Sequence, residues 1–318
     1  MEKNALIAAK KLTVEFSLSG NKKVHAVSDV SLDVYEHEVL ALVGESGCGK
    51  STLGKAMVQL IRPTGGEVSF KGTPITGMSR KAFQEYRRQM QIVFQDPYAS
   101  LDPRMSVRDI VAEPLETHCV CPTKAETTER VVELLKAVGL TSDHLYRYAH
   151  QFSGGQRQRI GIARAIALNP AFIVCDEPVS ALDVSVQNQI LNLLKDLQGR
   201  FGLTYLFISH DLSVVRFIAD RVCVMFLGKL CELGDTETIY EKPMHPYTRF
   251  LLDAIPKADP HQRRGERLLL SGELPSPVNP PSGCRFHTRC PYATGKCKAT
   301  EPPLHSVEGR LVACHMYE

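Results

Sequence analysis

A chain of 318 residues has room for one large core or two smaller ones. Charged residues make up 23% and the formal net charge is +3, which falls short of the basic footprint of a nucleic-acid binder. No run reaches the ~18 apolar residues of a membrane-spanning helix, and the polar start Met1-Glu2-Lys3-Asn4, with Lys10-Lys11 soon after, is not a secretory signal.

In chain order, residues 5–45 alternate Val, Leu and Phe with polar residues and read as strands. The apolar run Val39–Val43 reads as a buried strand. It is followed by Gly44-Glu45-Ser46-Gly47-Cys48-Gly49-Lys50-Ser51-Thr52, which fits the phosphate-binding pattern G-x4-G-K-[ST]. Glycines let successive N–H groups turn inward toward phosphate oxygens. The helix expected over residues 50–60 adds the positive end of its dipole. Lys50 is expected at the β- and γ-phosphates and the Ser51 hydroxyl on Mg²⁺. Cys48 is incidental to a loop that binds through its backbone, yet a reagent on its thiol is expected to slow turnover.

Gly65–Val68 reads as a turn into a strand. The composition then turns helical over Lys81–Arg88, Val107–Leu115 and Lys124–Val138. Ser153-Gly154-Gly155-Gln156 precedes an apolar-periodic helix over Arg157–Leu168. A Gly-Gly pair with a small hydroxyl at a helix start is a second anion site. One nucleotide does not need two, so this segment points to a second chain facing the first head to tail. Phe172–Cys175 reads as a buried strand that delivers Asp176 and Glu177 to a sheet's carboxyl edge, where open α/β sheets bind ligands. Asp176 suits Mg²⁺ and Glu177 suits the attacking water. His210 follows another apolar run, Tyr205–Ile208, and is placed to hold the γ-phosphate and water in line.

Beyond about residue 235 the character changes. Gly272–Gly283 carries four prolines, and Cys284, Cys290, Cys297 and Cys314 fall within the last 35 residues. In a reducing compartment such clustering points to metal rather than disulfides. The gaps of five, six and sixteen residues are wider than the tight pairs of structural zinc and suit a bulkier cluster. An iron–sulfur cluster, Zn²⁺ and unliganded thiols all stay open. Arg285, Arg289, Lys296 and Lys298 are expected around the thiolates, offsetting negative charge in a small, loop-rich tail without a core of its own. Cys119 and Cys121 carry no donor set beyond His118, while Cys175 and Cys223 read as small buried hydrophobes.

With these motifs in order, the chain resembles an ATP-binding cassette (ABC) transporter ATPase. Gly44–Thr52 matches the Walker A motif, Ile173–Glu177 the Walker B, and Phe152–Gln156 the signature, with Phe where Leu is commonest. Gln95 matches the Q-loop, Ser180–Asp183 the D-loop, His210 the switch histidine, and Phe16 lies where an adenine-stacking aromatic is placed. His245-Pro246-Tyr247-Thr248, Leu274–Pro281 and the cysteine set resemble the C-terminal extension of the oligopeptide/dipeptide and nickel branch, in which the cysteines are linked to a [4Fe–4S] cluster.

The resemblance implies an α/β fold with a RecA-type P-loop NTPase core, an N-terminal antiparallel β subdomain and an inserted helical subdomain at about 85–165. It divides the chain into a nucleotide-binding domain over 1–235 and a Cys-rich extension over 236–318. It implies ATP with Mg²⁺ held by Ser51, Gln95 and Asp176, and catalysis by Glu177, His210 and Lys50. Ser153–Gln156 would serve the partner's ATP, with Asp183 in the D-loop. The implied partners are a second ABC ATPase subunit (a sibling chain), two transmembrane permease subunits and an extracytoplasmic substrate-binding protein, with no nucleic acid. Tyr98–Arg104 would dock a permease. The implied location is peripheral, on the cytoplasmic face of the inner membrane. The implied work is uptake of dipeptides or oligopeptides. The alternatives are a nickel or metal-chelate importer and a non-transport ABC ATPase in DNA repair or translation.

Overall fold

The computed structural model describes residues 4–20, 22–255 and 275–318. Leu274 and the start of the proline-rich stretch lie outside the described residues. Two compact units emerge from Cα proximity. One comprises Tyr35–Glu38 and Gly77–Ile208; the other comprises Ala5–Val34, Val39–Thr76 and Ser209–Glu318. The second joins the far C-terminal residues to the phosphate-loop region.

In the second unit, β1 (Ala5–Ser17), β2 (Lys23–Tyr35), β4 (Gly65–Phe70) and β5 (Thr73–Pro74) form a sheet in the order β2-β1-β4-β5. β1 meets β4 antiparallel, and β4 meets β5 antiparallel. Over Val30–Val34 of β2 and Leu12–Val14 of β1 buried apolar residues alternate with more exposed ones, the period-two pattern of a half-covered sheet, whereas Leu6–Ala9 of β1 are buried throughout. A second sheet carries β3 (Val39–Val43), β9 (Arg221–Phe226), β10 (Lys229–Asp235), β11 (His305–Val307) and β12 (Arg310–Val312). β3 runs parallel to β9, with Val43 opposite Val224. All five residues of β3 are buried, as expected for a strand covered on both faces. Helices α1 (Lys50–Met57), α7 (Leu212–Ile218), α8 (Thr236–Glu241), α9 (Pro246–Asp253) and α10 (Gly295–Ala299) complete this unit.

The tail is not without a core. β11 and β12 form a hairpin, and β12 pairs antiparallel with β10, so the last residues extend the sheet. Glu308 and Gly309 have φ of 48° and 78°, the left-handed pair that a two-residue hairpin turn requires. Val312 and Cys314 pack on Met244, with Val307 and Tyr317 against them. Phe286, fully buried, meets the rings of Phe226 and Tyr247 at centroid distances of 5.3 Å each. These contacts correct the expectation of a loop-rich, coreless tail.

In the first unit, β6 (Met90–Val93), β7 (Phe172–Asp176) and β8 (Thr204–Ser209) run parallel, with β7 between the other two. Helices α2 (Arg80–Gln89), α3 (Val107–Thr117), α4 (Lys124–Ala137), α5 (Gly154–Ile166) and α6 (Val184–Phe201) accompany them. Ser79, Ser106 and Thr123 cap α2, α3 and α4 by accepting a bond from the N–H three residues on. The apolar faces of α3, α4 and α5 meet in a core that includes Val111, Leu115, Val131, Leu135 and Ile160. Among the described residues, no helix is long and apolar enough to cross a membrane.

Candidate active site

β3 feeds directly into the Gly44–Thr52 loop, and α1 begins at Lys50. Two glycines are obligatory here. Gly44 has φ 152°, and a Cβ there would lie 2.1 Å from the Met225 carbonyl oxygen; Gly49 has φ 103°, and its Cβ would meet the Ala26 carbonyl oxygen at 2.0 Å. The loop therefore lies flush against β9 and the β2 backbone because no side chain intervenes. Gly49 opens α1 without a side-chain cap, so the N–H groups of the first turn point outward for an anionic ligand. Lys50 is buried, and its ammonium donates to the Gly44 and Glu45 carbonyl oxygens at 2.8 and 3.0 Å.

The thiol of Cys48 faces inward. It is 4% exposed, and burial pushes its pKa above the ordinary range, only partly countered by Lys50. A buried, protonated thiol is a poor nucleophile. Any effect of a thiol reagent on turnover through Cys48 must therefore overcome this burial. Phe16 lies on β1 and is 41% exposed.

In the other unit, the parallel strands place three predicted residues at one sheet edge. Asp176 is the last residue of β7 and is buried; Glu177 follows it; Gln95 lies two residues past β6. The Gln95 side-chain amide donates to a Glu177 carboxylate oxygen at 2.9 Å. Glu177 has φ 46°, an uncommon conformation for a non-glycine residue, and its N–H donates to the Ile208 carbonyl at 3.0 Å. That bond to β8 holds the turn which aims the carboxylate.

Ser153 is the N-cap of α5. Its hydroxyl accepts from the Gln156 N–H at 3.4 Å, and the Gln156 side-chain oxygen accepts from the Ser153 N–H at 3.1 Å. This reciprocal capping box gives the Ser–Gln spacing a structural use beside the expected anion site. A Cβ on Gly155 would stand 2.4 Å from a Val186 methyl, so the glycine also admits α6 at close range. The D-loop between β7 and α6 is closed by Gln187, whose amide donates to the Val179 and Leu182 carbonyls at 3.1 and 2.9 Å. Asp183 is exposed, as is His210, which follows β8 in the chain.

Sequence reasoning passed over Arg157. Its guanidinium lies 3.9 Å from the Tyr98 ring centroid and donates to the carbonyls of Phe152 and His150 at 2.9 and 3.1 Å. It thereby fastens the segment after Gln95 to the start of the signature. Arg104 pairs with Asp102 and is otherwise open to solvent.

Cys284, Cys290, Cys297 and Cys314 border one small cavity, together with His287 and His315. Burial raises the thiols of Cys284, Cys290 and Cys314, and the neighbouring cysteines raise them further, Cys284 to about 11. Yet among the described residues no group of three or more His, Cys, Asp or Glu is arranged to hold a metal ion. The basic residues are also engaged elsewhere. Arg285 donates to the Leu227 carbonyl and the Ser28 hydroxyl, Arg289 pairs with Glu45, and Lys296 pairs with Glu318. The expected halo of positive charge around the thiols is corrected for these three. Cys175 and Cys223 are fully buried in β7 and β9, with Cys223 pushed up to about 12 by burial.

A strand, glycine loop and helix carrying Lys-Ser, with a second strand ending in Asp-Glu, define a P-loop nucleotide-hydrolysing protein. Residues 27–180 match the model of the ABC transporter family, and residues 231–297 match the oligopeptide/dipeptide transporter C-terminal region. The chain is 53% identical over 319 residues to a putative oligopeptide transport ATP-binding protein, YkfD, of Bacillus subtilis, covering 100% of this chain and 97% of that one. It is 54% identical over 289 residues to a putative peptide import ATP-binding protein of Brucella ovis, covering 91% and 90%. Among solved structures, the dimeric post-hydrolysis state of the ATP-binding cassette MJ0796, bound to ADP and Pi, is similar at a TM-score of 0.67 and 31% identity, over 72% of this chain and 98% of that one. The chain belongs to the ABC transporter family of ATP-binding proteins, and it hydrolyses ATP.

Proposed function

We propose that this chain is the ATP-hydrolysing subunit of an importer of oligopeptides or dipeptides. The observation that supports this most is the joint presence of the phosphate loop and the match of residues 231–297 to the oligopeptide/dipeptide transporter C-terminal region. The relatives named for oligopeptide transport and peptide import are similar over nearly the whole chain. The partners are a sibling ATPase, two transmembrane permease subunits and an extracytoplasmic substrate-binding protein, with this chain at the cytoplasmic face. Residues 1–235 form the nucleotide-binding domain, with a helical subdomain at about 85–165, and 236–318 form the extension.

In this reading the first turn of α1 and the loop N–H groups cradle the phosphates, with Phe16 against the base. Lys50 leaves the Gly44 and Glu45 carbonyls for the β- and γ-phosphate oxygens. Ser51, Gln95 and Asp176 hold Mg²⁺; the buried carboxylate of Asp176 and the hydroxyl in the first turn of α1 are oxygen donors suited to it. When bound, the ion neutralises charge developing on the phosphates. Glu177 orients the attacking water and takes its proton, once Gln95 releases its carboxylate. His210 holds the γ-phosphate in line. Ser153–Gln156 act on the nucleotide of the partner ATPase, with Asp183 beside it.

We further propose that Cys284, Cys290, Cys297 and Cys314 hold a [4Fe–4S] cluster. Their convergence on one cavity supports this. Iron and acid-labile sulfide in anaerobically purified protein, lost together on changing Cys284 and Cys290 to Ser, is the expected result. Metal-free protein would remove the cluster.

The transport assignment is tested with the chain, its sibling and the permeases in proteoliposomes. ATP-dependent uptake of a labelled peptide, abolished by Lys50→Ala, is expected. Uptake of chelated nickel in place of peptide would reassign the cargo.

A further inference from the structure

Glu45 stands one residue into the phosphate loop, and three groups hold it. Its N–H donates to the Tyr247 hydroxyl oxygen at 2.8 Å. Its carbonyl accepts from Lys50 at 3.0 Å. Its two carboxylate oxygens accept from Arg289 at 3.1 and 2.8 Å. Two of these groups come from far along the chain, separated from Glu45 by 202 and 244 residues.

Neither is a loose surface contact. The Tyr247 ring is fully buried, 4.8 Å from the Phe226 ring centroid, and burial raises its phenol well above the ordinary range. The Arg289 side chain is 10% exposed, against 24% for Glu45. Arg289 lies in the same turn as Phe286, whose carbonyl accepts its N–H at 3.0 Å, and beside Cys290. The aromatic trio of Phe226, Tyr247 and Phe286 therefore fixes both groups relative to the end of β9.

The charge balance gives this arrangement a consequence. A carboxylate at the entrance of a loop built for polyphosphate repels the ligand, and in a partly buried setting water screens it poorly. A guanidinium held against that carboxylate cancels the repulsion. We propose that Arg289 and Tyr247 are positioning residues of the phosphate loop, so that the cysteine-bearing tail completes the ATP site by neutralising and fixing Glu45. This rests on the reading of Gly44–Thr52 as the ATP site.

The test uses the full-length chain and measures Mg·ATP, ADP and AMP affinities together with KM and kcat. Arg289→Met is expected to weaken Mg·ATP and raise its KM about ten-fold, the loss of one strong charge-assisted contact, with kcat at saturation unchanged. The weakening is expected to diminish from ATP to ADP to AMP, following phosphate charge. Arg289→Lys retains the charge and is expected to recover most of the loss. Glu45→Gln in the Arg289→Met background is expected to restore affinity, which a merely structural role for Arg289 would not allow. Tyr247→Phe removes the acceptor for the Glu45 N–H and is expected to raise KM in the same direction. Lys242→Met, which breaks a surface pair with Glu308 in the same unit, is expected to change neither constant.

Equal KM for unmodified protein, Arg289→Met and Tyr247→Phe would overturn the inference. So would a loss in Arg289→Met that Glu45→Gln does not reverse. If the unmodified chain fails to bind ATP, or Lys50→Ala binds equally well, the underlying site assignment fails instead.

Discussion

At the residue scale, Glu177 carries most of the chemistry assigned to this chain. Its carboxylate is engaged by Gln95 at 2.9 Å, and its backbone sits in the left-handed region. Glu177→Gln keeps the shape and removes the base. ATP turnover is expected to fall by about 10²–10⁴-fold with ATP affinity retained, measured by phosphate release and equilibrium binding; full turnover in this variant would refute the role. The thiols separate by burial. Cys48 is buried with a raised pKa, whereas Cys119 is exposed. Iodoacetamide at neutral pH is expected to label Cys119 well before Cys48, read by peptide mass spectrometry. Because the Cys48 pKa is raised, its labelling is expected to climb only as pH passes the ordinary thiol range. The residue types of the Walker motifs were legible in the sequence because each chemistry needs a particular side chain at a fixed spacing. Arg157 and Arg289 were not. Their roles come from contacts with Tyr98 and Glu45, and no local pattern encodes a contact across 59 or 244 residues.

At the element scale, β3, β7 and β8 were readable because strands covered on both faces are continuous apolar runs. The β11–β12 hairpin escaped because each strand has three residues, too few to show a period. Its one signal was Glu308-Gly309, a weak turn pair. Helix α9 carries a pH dependence. His245 caps it, its Nδ1 accepting from the Tyr247 N–H at 3.1 Å, and burial pushes its pKa from 6.5 down to about 3. The unfolded chain takes up this proton below about 6.5, while the folded chain does so only near 3. Stability is therefore full above about 6.5 and is lost as pH falls toward 3. The effect is on the order of a few kcal/mol. His245→Asn, which keeps a capping oxygen and does not titrate, is expected to flatten the fall in Tm between pH 6.5 and 4.5. An unchanged slope would show that other groups dominate acid unfolding.

At the scale of the whole molecule, the signature segment raises the question of a second chain. Ser153 is exposed at the start of α5, Val184 at the start of α6 is 73% exposed, and both lie on segments with no catalytic use for the chain's own nucleotide in the proposed mechanism. In the proposed reading these exposed helix starts are the surface a facing ATPase would cover, and the similar MJ0796 cassette is a dimer. The prediction follows from making ATP the glue. With Glu177→Gln blocking hydrolysis, Mg·ATP is expected to convert the chain, alone or with its sibling, into a two-ATPase particle by light scattering, while ADP is not. Ser153→Arg places bulk and charge at the capping serine, outside Gly44–Thr52. It is expected to leave ATP binding by the single chain intact and to abolish the pairing. Pairing that survives Ser153→Arg would mean that the chains meet through another face, and the trans assignment of Ser153–Gln156 would fall with it.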